Sequence, residues 1–473
     1  MNALPSFELP VAIVGAGPVG LAAAAHLVER GIRPVVFEKG DRVGAAILEW
    51  AHVRVFSPWD YNVDQAARRL LERAGVKAPV GPELPNGGEI VMQYLEPLSK
   101  LPEIAAGMRL GAEVTGITKL GHDLMSNDGR EAAPFVIRYR DRSGEHRELA
   151  RAVIDASGTW SRPNPMGSDG LPVPGEREAE NVIAYGIPDV LGADRTVYAG
   201  KRTLVVGSGH SAINVALALL ELQEQAPDTQ VIWALRRNRI SRLLGGGLND
   251  QLPGRGVLGL AAKRAMDAGR LRMLAPFVVD RVERTGGKLN VEALLGGEPV
   301  NEVVDRIVVA TGFRPDFSFL RELRLGLDPA VEAPPTLAPL IDPNFHSCGT
   351  VPPHGIDELS HPEAGFTIVG SKSYGRAPTF LMATGYEQVR SVVAEIAGDR
   401  EAARQVHLVL PETGVCSAPA PIVTITSAAG CCGGPAPREA DACCLQDAVA
   451  KDRGEAGCGC GTRLRQQDTA VAR

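Results

Sequence analysis

Residues 11–20, Val11 to Gly20, limit the possible folds of this chain more than any other stretch. Four apolar residues read as a buried parallel strand. Gly15, Gly17 and Gly20 then fall on the spacing G-x-G-x-x-G. Pro18 opens an alanine-rich segment, Leu21 to Val28, that reads as a helix whose N-terminus receives a pyrophosphate. The three glycines serve in turn the tight turn, the close approach of backbone to phosphate, and the close helix–strand contact. The next strand, Pro34 to Phe37, ends in Glu38, where an acid holds a ribose hydroxyl, and Lys39 starts the turn beside that ribose. A complete strand–turn–helix–strand–acid unit predicts a dinucleotide site.

The pattern returns two hundred residues later. Arg202 to Val206 is a second buried strand, and Gly207, Ser208, Gly209, His210, Ser211 and Ala212 form a G-x-G-x-x-A loop. Ile213 to Leu222 forms the following helix. Here the next strand, Gln230 to Leu235, ends in Arg236 and Arg237 rather than an acid. Paired arginines bind a 2′-phosphate that an acid would repel, which favours NADPH over NADH; the bland alternative is a solvated arginine pair. Two further buried strands, Arg151 to Asp155 and Val303 to Ala310, end in small-residue turns at Ala156–Gly158 and at Ala310, Thr311 and Gly312. Such turns let backbone approach a nucleotide closely.

These features predict an α/β chain with two Rossmann-like dinucleotide-binding domains and a Cys-rich, disordered C-terminal tail. The expected boundaries are 1–165 and 336–405 for the first domain, 166–335 for the second, and 406–473 for the tail. A net charge of −6 carries no nucleic-acid footprint. The start has no basic n-region, so no signal peptide is expected. The apolar run 11–28 is broken by glycines and Pro18 at nucleotide-loop spacing, which argues against membrane insertion and for the cytoplasm.

Between these landmarks, His52 to Asp60, with Arg54, reads as an aromatic and polar segment lining a cofactor or substrate cavity, or as a surface loop with a tucked Trp59. Residues 64–75 read as an amphipathic helix, and Glu89 to Glu96 as another that Pro97 stops. Met108 to Ile117 and Phe135 to Tyr139 suggest a β-meander. Residues 162–175 look like a Pro-rich linker, and Gly385 to Ile396 like a closing helix.

Two groups of residues carry chemistry outside the glycine loops. His346, Cys348, His354 and His361 crowd one loop and offer soft ligands or acid–base groups, or are unrelated side chains of a Pro-rich surface loop. Six of the eight cysteines, Cys431, Cys432, Cys443, Cys444, Cys458 and Cys460, lie in the tail. That distribution suits thiols in a reducing compartment rather than a disulfide framework. Paired thiolates suit thiophilic ions such as trivalent arsenic, mercury, copper(I) or zinc; the alternative is a set of thiols with no specific ligand.

With two dinucleotide units on one chain, residues 9–400 resemble the two-dinucleotide-binding flavoproteins, especially their flavin-containing-monooxygenase-like branch. The resemblance implies that Gly15, Gly17, Pro18, Gly20, Glu38 and Lys39 bind FAD, with Arg54, Ala156, Gly158 and Gly370 beside it. It implies that Gly207, Ser208, Gly209, His210, Ser211, Ala212, Arg236 and Arg237 bind NADPH, with Thr311 and Gly312 at the crossing between domains. The chain departs from monooxygenases in having no histidine in Ile183 to Pro188. It departs from disulfide reductases in having no C-x-x-C before the tail, and Ser371 where an aspartate usually follows Gly370. The stretch Phe56 to Trp59, the His/Cys loop, Ser373 to Pro378 and the Cys–Cys tail resemble flavoproteins encoded with bacterial arsenic-resistance determinants. That likeness implies metalloid detoxification, with O₂ as a candidate acceptor. Two alternatives stay open: an N- or S-monooxygenase of an organic substrate, and a metalloid-binding redox sensor or metallochaperone without turnover.

Overall fold

The computed structural model describes residues 8–237, 253–345, 351–377 and 381–408. The first sheet is built on β1 (Val11–Val14), whose four residues are all buried. Beside it lie β2 (Pro34–Glu38), β3 (Met108–Leu110), β7 (Ala152–Asp155) and β16 (Phe366–Ile368), in the order β16-β7-β1-β2-β3. Every pairing in it is parallel, so both faces must be covered and the strands read as apolar runs. Helix α1 (Pro18–Glu29) covers one face, packed against α2 (Gln65–Arg73) and α5 (Met382–Ile396). Ala22, Ala23, Ala24 and Ala25 are fully buried, and their small side chains let these helices close in. An antiparallel meander, β4 (Glu113–Lys119), β5 (Phe135–Asp141) and β6 (Gly144–Ala150), leads into β7.

The second sheet repeats this plan. It contains β8 (Ile183–Tyr185), β9 (Arg202–Val206), β10 (Gln230–Ala234), β11 (Arg272–Leu274) and β15 (Arg306–Val309), in the order β11-β10-β9-β15-β8. Read from its other edge, that order repeats the first sheet for four strands, β15-β9-β10-β11 standing for β7-β1-β2-β3; the edge strand differs, since β8 precedes its glycine-loop strand whereas β16 comes last in the chain. Helices α3 (His210–Gln225) and α4 (Pro253–Asp267) pack together on it. A second meander, β12 (Phe277–Thr285), β13 (Lys288–Leu295) and β14 (Glu298–Val304), leads into β15.

The chain passes between the sheets twice, and the two connections run antiparallel against each other. Pro163 bridges Phe313, Asn164 N–H donates to Gly312 O at 2.9 Å, and Arg314 N–H to Arg162 O at 2.9 Å. Trp160 on the outgoing connection stacks on Phe313 of the returning one, with ring centroids 4.3 Å apart.

Five local expectations change. Val303 to Ala310 is not one buried strand: Val303, 44% exposed, and Val304 close β14, and β15 starts only at Arg306, after Asp305 N–H has bonded to Arg202 O. Residues 108–117 are two strands, because Gly111 and Ala112 donate to Gly40 and Glu38 carbonyls and turn the chain out of the parallel sheet into the meander. Pro97 does not stop its helix. A π-turn at Val91–Leu95 moves the bond of the Glu96 N–H to Val91 O, five residues back, and Pro97 follows with no donor to satisfy. Residues 162–175 are no bare linker: the buried carboxylate of Glu176, just after them, accepts from Met166 N, Val173 N and the Tyr185 hydroxyl at 3.0, 2.9 and 2.7 Å. The closing helix starts at Met382, about one turn before the expected Gly385, and ends at Ile396 as expected. The six tail cysteines, His346 and Cys348 lie outside the described residues.

Candidate dinucleotide sites

At the first loop, Gly15 N–H donates to Phe37 O at 2.7 Å and Ala156 N–H to Val14 O at 2.9 Å, which carries the ladder one residue beyond the strands. Gly15 has φ +100°, and a Cβ there would stand 2.7 Å from Ala156 O. A Cβ on Gly20 would stand 1.9 Å from Gly15 O, so the helix can sit this close only as glycine. Gly17, the N-cap of α1, has nothing within 4 Å of its Cβ position and no side-chain cap. The first turn of α1 therefore presents uncapped N–H groups to open space, the arrangement that accepts a phosphate.

The second loop has the same build. Gly207 N–H donates to Ala234 O at 3.1 Å and Ala310 N–H to Val206 O at 2.8 Å. Gly207 has φ +142°, and its Cβ would stand 2.3 Å from Ala310 O. Gly209 caps α3 with open space around its Cβ position, and Ala212 is fully buried where the first loop has Gly20. Ser208 is exposed, and His210 and Ser211 are half-buried. The Trp233 indole donates to Gly207 O at 2.8 Å and fixes the turn from below.

The two units differ where the second strand ends. The Glu38 carboxylate accepts from Ala16 N at 2.9 Å and from Gly40 N at 2.8 Å, so it holds the glycine loop. Lys39 beside it is exposed. Arg236 and Arg237 are both exposed, and Arg236 is tethered through Nη1 to Ser168 O at 2.9 Å.

The chain returns to the first loop through Gly370. Its N–H donates to Gln388 Oε1 at 2.7 Å, and Gln388 Nε2 donates to Ser373 Oγ at 2.9 Å and His354 Nε2 at 2.8 Å. His354 Nδ1–H donates to Pro352 O at 3.0 Å, so both ring nitrogens are engaged. Burial lowers the pKa of His354 and keeps the ring neutral. His361 lies elsewhere. Its Nδ1 bonds Gly326 O at 3.1 Å, its ring leans on Phe366, and burial pushes its pKa down to about 4. Phe366 starts β16, so His361 sits at the end of the strands opposite the glycine loop. The structure therefore brings His354 toward Gly370 and separates it from His361. Among the described residues no group of three or more His, Cys, Asp or Glu side chains is placed to hold a metal.

The segment 52–60 is tied down at both ends: Val55 N–H donates to Pro85 O at 2.9 Å and Gly87 N–H to Val53 O at 3.1 Å. Ser57 and Asn62 exchange bonds at 2.8 and 2.6 Å, and Tyr386 OH donates to Asn62 O at 2.7 Å. Phe56 reaches across to His210 of the second loop, with ring centroids 5.4 Å apart. Arg54 is exposed and bonded to the Leu84 carbonyl. Thr311 Oγ1 donates to Asn164 O at 2.8 Å in the crossing. Sequence reasoning missed Gln388, Trp160, Trp233 and Lys372. Only Lys372, a cation after an apolar strand, offered a signal.

The pattern of the pyridine nucleotide-disulphide oxidoreductase family matches residues 9–332. The thiamine thiazole synthase of Methanoculleus marisnigri is 32% identical over 157 residues, 32% of this chain and 58% of that protein, so the match spans less than two thirds of this relative. Bacillithiol disulfide reductase of Bacillus cereus superposes with a TM-score of 0.59 at 21% identity, over 82% of this chain and 99% of that one. Ornithine N-hydroxylase of Kutzneria sp. 744 superposes with a TM-score of 0.54 at 16% identity, over 84% and 100%. Among the described residues no helix is long and apolar enough to cross a membrane.

Proposed function

The chain belongs to the pyridine nucleotide-disulphide oxidoreductase family, and on that premise we propose that it oxidises NADPH held on the second glycine loop in favour of FAD held on the first. Its cofactors are FAD and NADPH. The observation that carries the assignment is the contrast between two loops of one build, Gly15 on Ala156 and Gly207 on Ala310, followed by Glu38 in one case and Arg236 and Arg237 in the other.

In this reading Gly15, Gly17, Pro18 and Gly20 present the first turn of α1 to the FAD pyrophosphate. Glu38 and Lys39 flank the ribose, and Ala156, Gly158 and Gly370 let backbone close on the cofactor. Arg54 reaches in from the segment that Asn62 and Tyr386 anchor. Gly207 to Ala212 receive the NADPH pyrophosphate, Arg236 and Arg237 its 2′-phosphate, and Thr311 and Gly312 keep the crossing narrow. FAD supplies two-electron transfer between NADPH and an acceptor. The residues around it bind, orient and exclude water. His354, with both nitrogens engaged, fixes Gln388 and through it Gly370; it is a positioning residue. The first proposed boundary, residue 165, falls beside the outgoing connection, while the second, residue 335, lies about twenty residues beyond the returning one at Gly312–Arg314.

The acceptor we assign is O₂, in monooxygenase-type chemistry on a thiophilic metalloid such as a trivalent arsenical. No C-x-x-C lies between residues 9 and 400 to relay electrons to a disulfide, and the paired tail cysteines suit capture of a soft ion. Cys431, Cys432, Cys443, Cys444, Cys458 and Cys460 are the proposed ligands, and the loop of His346 and Cys348 the receiving surface. Titration of the holoprotein with trivalent arsenicals, following NADPH consumption and O₂ uptake, tests this. Faster turnover that deletion of residues 411–473 weakens is the expected result. Arsenical-independent turnover, unchanged by the deletion, would favour an organic-substrate monooxygenase. Metalloid binding with no anaerobic flavin bleaching by NADPH would favour a sensor or chaperone.

A further inference from the structure

Lys372 and Asp155 form an ion pair with no exposure to solvent on either side chain, Nζ to Oδ2 at 2.6 Å. Burying two charges is costly, and such pairs are seldom the most favourable way to stabilise a fold. This one has a particular place. Asp155 ends β7 in register with Val14, the residue before Gly15, and precedes Ala156, whose carbonyl limits position 15. Its other oxygen accepts from Ser157 N at 3.0 Å, while Lys372 also donates to Ser157 Oγ at 3.1 Å. Lys372 belongs to the turn Gly370–Tyr374 and stands over the Phe319 and Phe317 rings, 4.4 and 5.4 Å from their centroids. One ammonium thus joins the end of β7, the turn after β16 and the returning connection.

We propose that Lys372 is a charge-neutralising positioning residue for the cofactor on the first loop: its ammonium cancels the Asp155 carboxylate, so that a pyrophosphate can lie at the adjoining N-terminus of α1. The proposal rests on the assignment of FAD to that loop. Without Lys372, a buried carboxylate would face the same loop as two phosphate charges, and like charges in a poorly screened interior repel strongly. Without both partners the repulsion disappears.

The test is FAD and riboflavin binding to the deflavinated full-length protein, followed by flavin fluorescence, with folding checked by circular dichroism. Lys372→Met should weaken FAD by about a hundredfold while leaving riboflavin, which has no phosphate, within about threefold. The double variant Lys372→Met/Asp155→Asn should recover FAD binding to within about tenfold of the parent. Asp155→Asn alone, which covers the case in which Lys372→Met does not fold, should bind FAD as tightly as the parent or more so. Equal losses of FAD and riboflavin in Lys372→Met would overturn the proposal, as would a double variant no better than the single. So would a weakening of about tenfold or more in Asp155→Asn. Gly17→Asp separates this from the loop assignment. If it leaves FAD binding intact, the assignment falls. If it abolishes binding while Lys372→Met does not, only the role of Lys372 falls.

Discussion

Gly15 and Ala156 touch so closely that no side chain fits between them: a Cβ at position 15 would stand 2.7 Å from the Ala156 carbonyl oxygen. Two strands that are neighbours in the sheet, β1 and β7, are locked together at the point where the chain leaves the sheet for α1. The turn into α1, where we propose that the pyrophosphate lies, is therefore fixed by backbone before any side chain contributes.

Gly15→Val should lose bound FAD and destabilise the fold by at least about 1–3 kcal/mol, from backbone strain together with the clash. Gly17→Ala is the contrast. Its extended backbone and open surroundings accept a methyl group, so thermal stability should be unchanged while FAD affinity falls. Flavin absorbance per protein and melting temperature, measured on both variants, check the pair.

Arg236→Ala, and more so the double change with Arg237→Ala, should raise KM for NADPH by about 10- to 100-fold while NADH is little affected, since each charge-assisted bond to the 2′-phosphate is worth roughly 1.5–3 kcal/mol. Equal effects on both nucleotides would remove the 2′-phosphate from the assignment. Steady-state kinetics with the two donors decides it.

The buried pair of Arg130 and Glu363, bonded at 2.6 Å with side chains 3% exposed on both sides, ties the polar loop before β5 to the approach to β16. Arg130→Met leaves a buried carboxylate whose remaining donors, such as Arg324 N at 3.0 Å, do not replace the guanidinium. Urea unfolding should report a loss of about 3–5 kcal/mol, and less for the variant in which both partners are made apolar.

His361 gives a pH dependence of known sign. Its pKa is depressed by burial from 6.5 to about 4, so between those values the unfolded chain binds more protons than the folded one. Stability from this source is complete above about pH 6.5, falls as pH drops toward about 4, and levels off below. His361→Gln should flatten that limb of the stability curve, read from chemical unfolding midpoints between about pH 4 and 7.

The parts legible in the sequence are those fixed by local sterics. Gly15, Gly20 and Gly207 announce themselves because only glycine meets a carbonyl at such distances, and Ala156 and Ala310 because they supply it. The contrast of Glu38 with Arg236 and Arg237 is equally local. What depends on distant partners was hidden. Nothing near Gln388 in sequence points to His354 and Gly370, and Tyr386 reaches Asn62 across 324 positions. His354 and His361 are close neighbours in sequence, yet they bond to different elements at different places on the first sheet. Proximity along the chain carried no information there.

Two connections, rather than one, join the halves of this protein, and they are hydrogen-bonded side by side through Pro163, Asn164, Phe313 and Arg314. A single tether would behave as a swivel, free about every axis. A bonded pair behaves as a strap hinge: bending across its width is soft, while splaying or sliding must break backbone bonds. The Trp160–Phe313 stack lies on that strap and stiffens it. Were the two glycine loops to move relative to each other, the strap would hold that motion to a narrow arc, so that their alignment would be inherited from the linkage.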